Sequence, residues 1–174
     1  DLLGHGAVSI LDGGWRAWLR AGGITTDKAA APSQGNFVAR HRPELEMGVE
    51  TLFTLYRDHP VIDGRPHNFW LGFGKFDANI KFGRIPGSLN QPWEDFLKTD
   101  KDGMIHADAS QPIELLAKHP LDKNQLVLVT CFGAGGAAID YAYLKAAGFK
   151  NLRMDDEGYK RWNLHDYPLV IGVP

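Results

Sequence analysis

A chain of 174 residues, 44% hydrophobic and 23% charged, suffices for one globular core of ordinary size with room for an appendage. A formal net charge of −2 gives no sign of nucleic acid or an anionic membrane as partner, and no apolar run approaches the roughly 20 residues that span a bilayer. The single cysteine excludes an internal disulfide framework and a thiolate zinc cluster, and it leaves the compartment open.

The first segment in chain order is one half of an internal repeat. Gly4, Val8, Ile10, Asp12, Gly14, Trp15, Arg16 and Trp18 match Gly148, Leu152, Met154, Asp156, Gly158, Tyr159, Lys160 and Trp162. Every pair is offset by 144 positions without a gap, as Gly4 with Gly148 and Trp18 with Trp162 show. Each copy reads as a glycine ending a helix, a short alternating strand, a turn and an aromatic-faced helix. In the first copy the strand is expected over roughly Ala7–Leu11, where it has no neighbours. Residues 1–21 are therefore expected to be the closing β–α unit of a preceding domain whose sheet a second chain completes. Docking on the following domain, or exchange between copies of this chain, are the alternatives. Residues 22–36, with Gly22, Gly23, Pro32, Ser33, Gln34 and Gly35, read as a linker.

From residue 37 to residue 174 helix and strand patterns alternate. An amphipathic helix is predicted over 47–57 (Val49, Leu52, Phe53, Leu55, Tyr56), then a short strand over Val61–Asp63. A polar and aromatic stretch leads to Gly83-Arg84-Ile85-Pro86-Gly87, and a further helix is predicted over 110–118. Gln125–Thr130 is short, apolar and β-branched, as suits a central parallel strand buried on both faces. A helix over 136–147 carries Ile139, Ala142, Tyr143 and Ala146 on one stripe, and Gly148 supplies its left-handed stop. The second repeat copy follows. This alternation predicts an α/β fold, a parallel sheet with helices on both faces.

Cys131 stands directly after the predicted central strand and before Phe132-Gly133-Ala134-Gly135-Gly136. Open α/β sheets bind ligands at the carboxyl ends of such strands. Glycines allow successive backbone N–H groups to form an anion cradle over residues 132–136, and the amino end of the next helix is expected to favour thiolate over thiol. Such a thiolate can attack an electrophilic sulfur and hold the resulting persulfide. The competing role is that of a small buried hydrophobe.

Three segments carry a family resemblance: Val61-Ile62-Asp63-Gly64-Arg65-Pro66, Gly83-Arg84-Ile85-Pro86-Gly87-Ser88-Leu89-Asn90-Gln91-Pro92-Trp93, and the Cys131 loop with its helix. With the two repeat copies, the sequence resembles the rhodanese, or sulfurtransferase, superfamily in its two-domain form, in which an inactive first domain precedes a cysteine-bearing second. The resemblance implies that Cys131 takes sulfane sulfur from a small donor and passes it to cyanide or a thiol in ping-pong fashion. A six-residue loop, Cys131 to Gly136, is typical of sulfur-handling members.

Two departures bear on the substrate. Thiosulfate-using relatives carry basic residues after the cysteine and mercaptopyruvate-using ones Gly-Ser, whereas Phe132-Gly133 stands here and the next basic residue is Lys145. Phe69 occupies the place of a substrate-binding arginine, for which Lys75, Lys81 or Arg84 could substitute. Asp63 and Arg65 either shape the site or form a structural ion pair, and Trp70 and Trp93 read as core or rim packing. No His-x3-His pair is backed by a carboxylate, no Gly-Lys-Ser/Thr follows the glycines, and no arginine closes the loop as phosphatase chemistry requires. No metal or other cofactor is therefore expected. Two functions fit: a sulfurtransferase, or a sulfur carrier that serves only a protein partner.

Overall fold

The computed structural model describes residues 1–31, 33–74, 80–108 and 118–174. Lys75 and nearly all of the helix predicted over 110–118 lie outside the described residues. In chain order the elements are α1 (Gly14–Arg20), β1 (Glu46–Met47), α2 (Val49–Leu55), β2 (Val61–Asp63), α3 (His67–Trp70) and β3 (Leu89–Asn90). There follow β4 (Leu97–Thr99), β5 (Ile105–Ala107), β6 (Leu126–Thr130), α4 (Ala134–Ala146), β7 (Asn151–Asp155) and α5 (Gly158–Leu164).

Five strands make one parallel sheet in the order β1-β7-β6-β2-β3, and β4 and β5 form a separate antiparallel pair. The α/β class expected from the alternation holds. β6 is the middle strand, and its apolar run is explained by burial on both sides. Leu128 faces a core with Met47, Val49, Leu52, Val61, Tyr159 and Trp162, which α2 and α5 cover. Val127 and Val129 face the opposite core, with Ile62, Phe96, Ala137, Leu144 and Leu152, which α4 covers. The two-residue period of a strand thus distributes one short segment between two cores.

α4 begins two residues earlier than predicted and turns a different side to the sheet. Its buried residues are Ala137, Asp140 and Leu144. The predicted stripe of Ile139, Ala142, Tyr143 and Ala146 instead lines an apolar groove of about 490 Å³ beside Ile10, Leu11 and Ile105. The helix is apolar on more than one side, so periodicity alone does not choose its core face. Gly148 ends the helix with φ +94°, as expected.

The repeat copies differ in their surroundings. In the second copy β7 pairs with β1 and β6, and Tyr159 and Trp162 have no exposed surface. In the first, α1 forms, but Ala7–Leu11 forms no strand and α1 buries no residue. A strand needs edges to pair with, and residues 7–11 have none here. The segment is instead pinned by polar contacts: Asp12 accepts from the Ala107 amide at 2.9 Å and from His106 Nδ1 at 2.8 Å, and the Leu3 carbonyl accepts from the Arg40 amide at 2.9 Å. Trp15 and Trp18 remain 64% and 42% exposed.

This asymmetry has an energetic consequence. Trp162 packs against Phe53, Tyr56 and Tyr167, so Trp162→Ala is expected to cost about 3–5 kcal/mol in urea unfolding. Its repeat partner is exposed, and Trp18→Ala is expected to cost about 0.5 kcal/mol or less by the same measurement.

Candidate active site

β2 and β6 lie side by side and end together, with the Gly64 amide donating to the Thr130 carbonyl at 2.8 Å. Beyond them the connections diverge: β6 leads through α4 to β7 on one side, and β2 leads to β3 on the other. That divergence makes the crevice at their carboxyl ends a switch point of the sheet, where α/β folds bind ligands. Cys131 follows β6 immediately, and Asp63 and Gly64 close β2 beside it. A cleft of about 740 Å³, lined by Tyr56, Arg57, Pro60 and Leu121, opens instead near the amino ends of the strands and holds none of the predicted site residues.

The thiol sits against the first turn of α4. A Cβ added at Gly136 would lie 2.5 Å from Cys131 Sγ and 2.8 Å from Trp93 Cδ1, so only glycine admits the sulfur and the indole at this position. Gly158 backs the loop from the other side: at φ +75°, an added Cβ would lie 2.4 Å from the Phe132 carbonyl oxygen. The Tyr159 amide donates to the Cys131 carbonyl at 2.8 Å, which fastens the loop to the start of α5. Phe132 and Gly133 form the loop, while Ala134, Gly135 and Gly136 are already helical. Their amides are among the four that a helix leaves unpaired at its start.

The expectation that this helix end favours thiolate is corrected by burial. Cys131 is 3% exposed, and its thiol is pushed up to about 12. Desolvation is the largest cause; the Phe132 amide opposes it by hydrogen bonding, while Asp63, and Asp140 when ionised, add negative charge. The partial charge of a helix terminus does not offset removal from water.

Asp63 and Arg65 form an ion pair with no exposed side-chain surface. Arg65 Nε donates to Asp63 Oδ1 at 2.9 Å, and Nη2 donates to Asp63 Oδ2 at 2.6 Å and to the Gly83 carbonyl at 2.8 Å. The guanidinium carbon lies 3.4 Å from the Tyr159 ring centroid, while Nη1 has no partner among the described residues. Phe69 does approach the loop: its ring meets Phe132 edge-on at 5.1 Å and Phe82 at 5.7 Å. Lys81 and Arg84 are not brought into this group. Lys81 is exposed and paired with Asp166, whereas Arg84 donates to the Gly172 carbonyl and lies over Trp70 at 4.6 Å. Sequence reasoning missed Phe82, Tyr159 and Asp140. For Tyr159 the repeat's aromatic position was a signal, and for Asp140 the signal was a carboxylate inside an otherwise apolar helix.

The profile of the rhodanese-like domain matches residues 49–165, which include the sheet from β2 to β7, the Cys131 loop and α5. The chain belongs to the rhodanese-like domain family. Mouse thiosulfate sulfurtransferase is 31% identical over 139 residues, covering 75% of this chain and 44% of that protein. Human 3-mercaptopyruvate sulfurtransferase is 28% identical over 172 residues, covering 95% and 56%. A structure of EanB with ergothioneine covalently linked to a cysteine persulfide superimposes with TM-score 0.75 and 20% identity, covering 99% of this chain and 43% of that one. This rhodanese-like chain spans about half the length of the curated relatives it matches. The comparisons give no support to a separate second chain as partner. No helix among the described residues is long and apolar enough to cross a membrane.

In this rhodanese-like domain Arg65→Met removes a buried charge and leaves Asp63 unpaired. A loss of about 3–5 kcal/mol is expected in denaturant unfolding.

Proposed function

We propose that this rhodanese-like domain is a sulfurtransferase in which Cys131 carries sulfane sulfur as a persulfide. The observation that carries the reading is the placement of Sγ against the first turn of α4, at the carboxyl end of the central strand. The thiolate attacks the sulfane sulfur of a donor. An Sγ–S bond forms, the donor S–S bond breaks, and its electron pair leaves with the shortened donor. A thiol or cyanide acceptor then attacks the outer sulfur, and Cys131 departs as thiolate. One sulfur atom moves, so no outside oxidant is needed. The backbone N–H groups of residues 132–136 are the anion cradle for the persulfide. Cys131→Ser is expected to abolish the addition of one sulfur, read by mass spectrometry after polysulfide treatment, while the domain stays folded. A variant that melts far below the parent would instead make Cys131 a packing residue.

The walls of the site bear on the donor. Phe69, Phe82 and Phe132 form an aromatic cluster beside the loop, while Lys81 and Arg84 are committed elsewhere. A charge-assisted contact to a buried anion is worth roughly 1.5–3 kcal/mol, and a decade of rate corresponds to about 1.4. With two such contacts replaced by aromatic rings, thiosulfate is expected to show kcat/KM at least about two decades below that of an organic polysulfide. Equal turnover of the two donors would overturn this assignment. The engagement of Lys81 and Arg84 elsewhere favours a second reading, a carrier that loads once and discharges only to a protein; multiple turnover with a small thiol acceptor rules it out.

For domain organisation we infer that residues 1–21 are the closing unit of a preceding rhodanese-like domain, 22–36 a linker, and 37–174 the complete cysteine-bearing domain. The gapless repeat and the exposure of Trp15 and Trp18 against the burial of Tyr159 and Trp162 support this. A large cost for Trp18→Ala in this chain would contradict it.

A further inference from the structure

Asp140 is fully buried, and both of its carboxyl oxygens lack a hydrogen-bond partner among the described residues. Buried polar groups are ordinarily paired, and an unpaired one in a native core calls for a reason. Its position supplies one. Asp140 lies one helical turn after Gly136 on α4, so the two share a face, and Gly136 is the residue that makes room for Cys131 Sγ. The carboxyl rests against the backbone that follows β2: a Cβ added at Gly64 would lie 2.1 Å from Asp140 Oδ2. Thus Asp140 and Cys131 flank the same strand ends, β2 and β6.

The charges around Asp140 come from each element packed on it. Asp63 ends β2 and is bound to Arg65, Glu94 and Asp95 lie in the turn Trp93–Phe96, and Cys131 follows β6. Glu94 and Asp95 are exposed, so Asp63 is the buried carboxylate among these neighbours. Burial first, then Asp63, Glu94 and Asp95, push Asp140 up to about 9, so it holds its proton at neutral pH. Its electrostatic influence on Cys131 is in the same sense: ionised, it raises the thiol further. Asp155, the other buried acid nearby, differs because it accepts from the Thr130 hydroxyl at 2.7 Å and the Gly158 amide at 3.1 Å.

We infer that Asp140 is a positioning residue for Cys131: a buried, unpartnered carboxyl at the same strand ends, it governs how much negative charge the sulfur can carry. The inference rests on the sulfur-transfer reading for its purpose but not for its physics. Throughout the cycle the anion resides on sulfur, first on Sγ and then on the outer persulfide sulfur, while the Asp140 O–H stays intact. The Cys131 proton goes to solvent. Above about pH 9 Asp140 ionises, and two negative charges then compete for one site.

The test uses the chain's sole thiol, which makes alkylation by iodoacetamide report on Cys131 alone. Rates are measured from about pH 6.5 to 10.5 for the parent, Asp140→Asn and Asp140→Leu. Asp140→Asn, neutral at every pH, should track the parent below pH 9 and exceed it by about tenfold at the alkaline end. Asp140→Leu, which likewise carries no charge, should follow Asp140→Asn rather than the parent at the alkaline end. Parent and Asp140→Asn curves that superimpose throughout overturn the inference, and this holds even if the leucine variant fails to fold. A purely structural Asp140 would shift the melting temperature without parting the two curves. Mass spectrometry after organic polysulfide treatment separates the two claims. Curves that part with no sulfur added sink sulfur transfer and leave the role of Asp140 standing; sulfur added with superimposed curves does the reverse.

Discussion

A carboxylate and a guanidinium, both removed from water, hold the carboxyl end of the sheet together. Asp63 fixes Arg65, Arg65 reaches the Gly83 carbonyl and stacks on Tyr159, and the Tyr159 amide fastens the Cys131 carbonyl. The end of one strand, the approach to β3, the last helix and the cysteine loop are thereby linked through one side chain. Desolvating two charges is expensive, and their mutual attraction offsets it only when geometry is good and other polar atoms are satisfied. Here the hydrogen bonds to Asp63 and to the Gly83 carbonyl, with the face of Tyr159, supply both. The exception, Arg65 Nη1, points to where the packing is least complete.

The same dryness governs the chemistry. A helix terminus, one backbone amide and a paired arginine all act to stabilise a sulfur anion, yet burial and neighbouring carboxylates outweigh them in the unloaded thiol. The rings of Phe69 and Phe132 meet beside the loop, at places for which the family resemblance implies cations. An anion entering such apolar surroundings loses its hydration, and among the described residues Lys81 and Arg84 are already engaged elsewhere.

Much of this was legible in the residues. Gln125–Thr130 announced a central strand through its unbroken apolar run, the Cys-glycine segment marked the turn from that strand into the next helix, and the repeat located the closing helix. The first repeat copy shows the limit of such reading. Its residue types match those of β7 and α5, yet a strand exists only where a neighbour pairs with it, and that information is not local. Asp140 shows another limit: an acid in a helix is ordinarily read as surface, and only the packing of Gly64 against the Asp140 side of α4 reveals it as core. Lys81 and Arg84 had the right charge at plausible positions, but their partners Asp166 and Gly172 lie more than eighty residues away in sequence.

The seclusion of Cys131, with 3% of its surface open, also bears on how long the protein stays serviceable. Peroxide and other oxidants attack exposed thiolates and drive them through sulfenic to irreversible sulfinic and sulfonic acids. A thiol kept protonated and covered resists that course. Within these 174 residues there is no second thiol to rescue a sulfenic acid as an intramolecular disulfide, so durability has to come from concealment rather than repair.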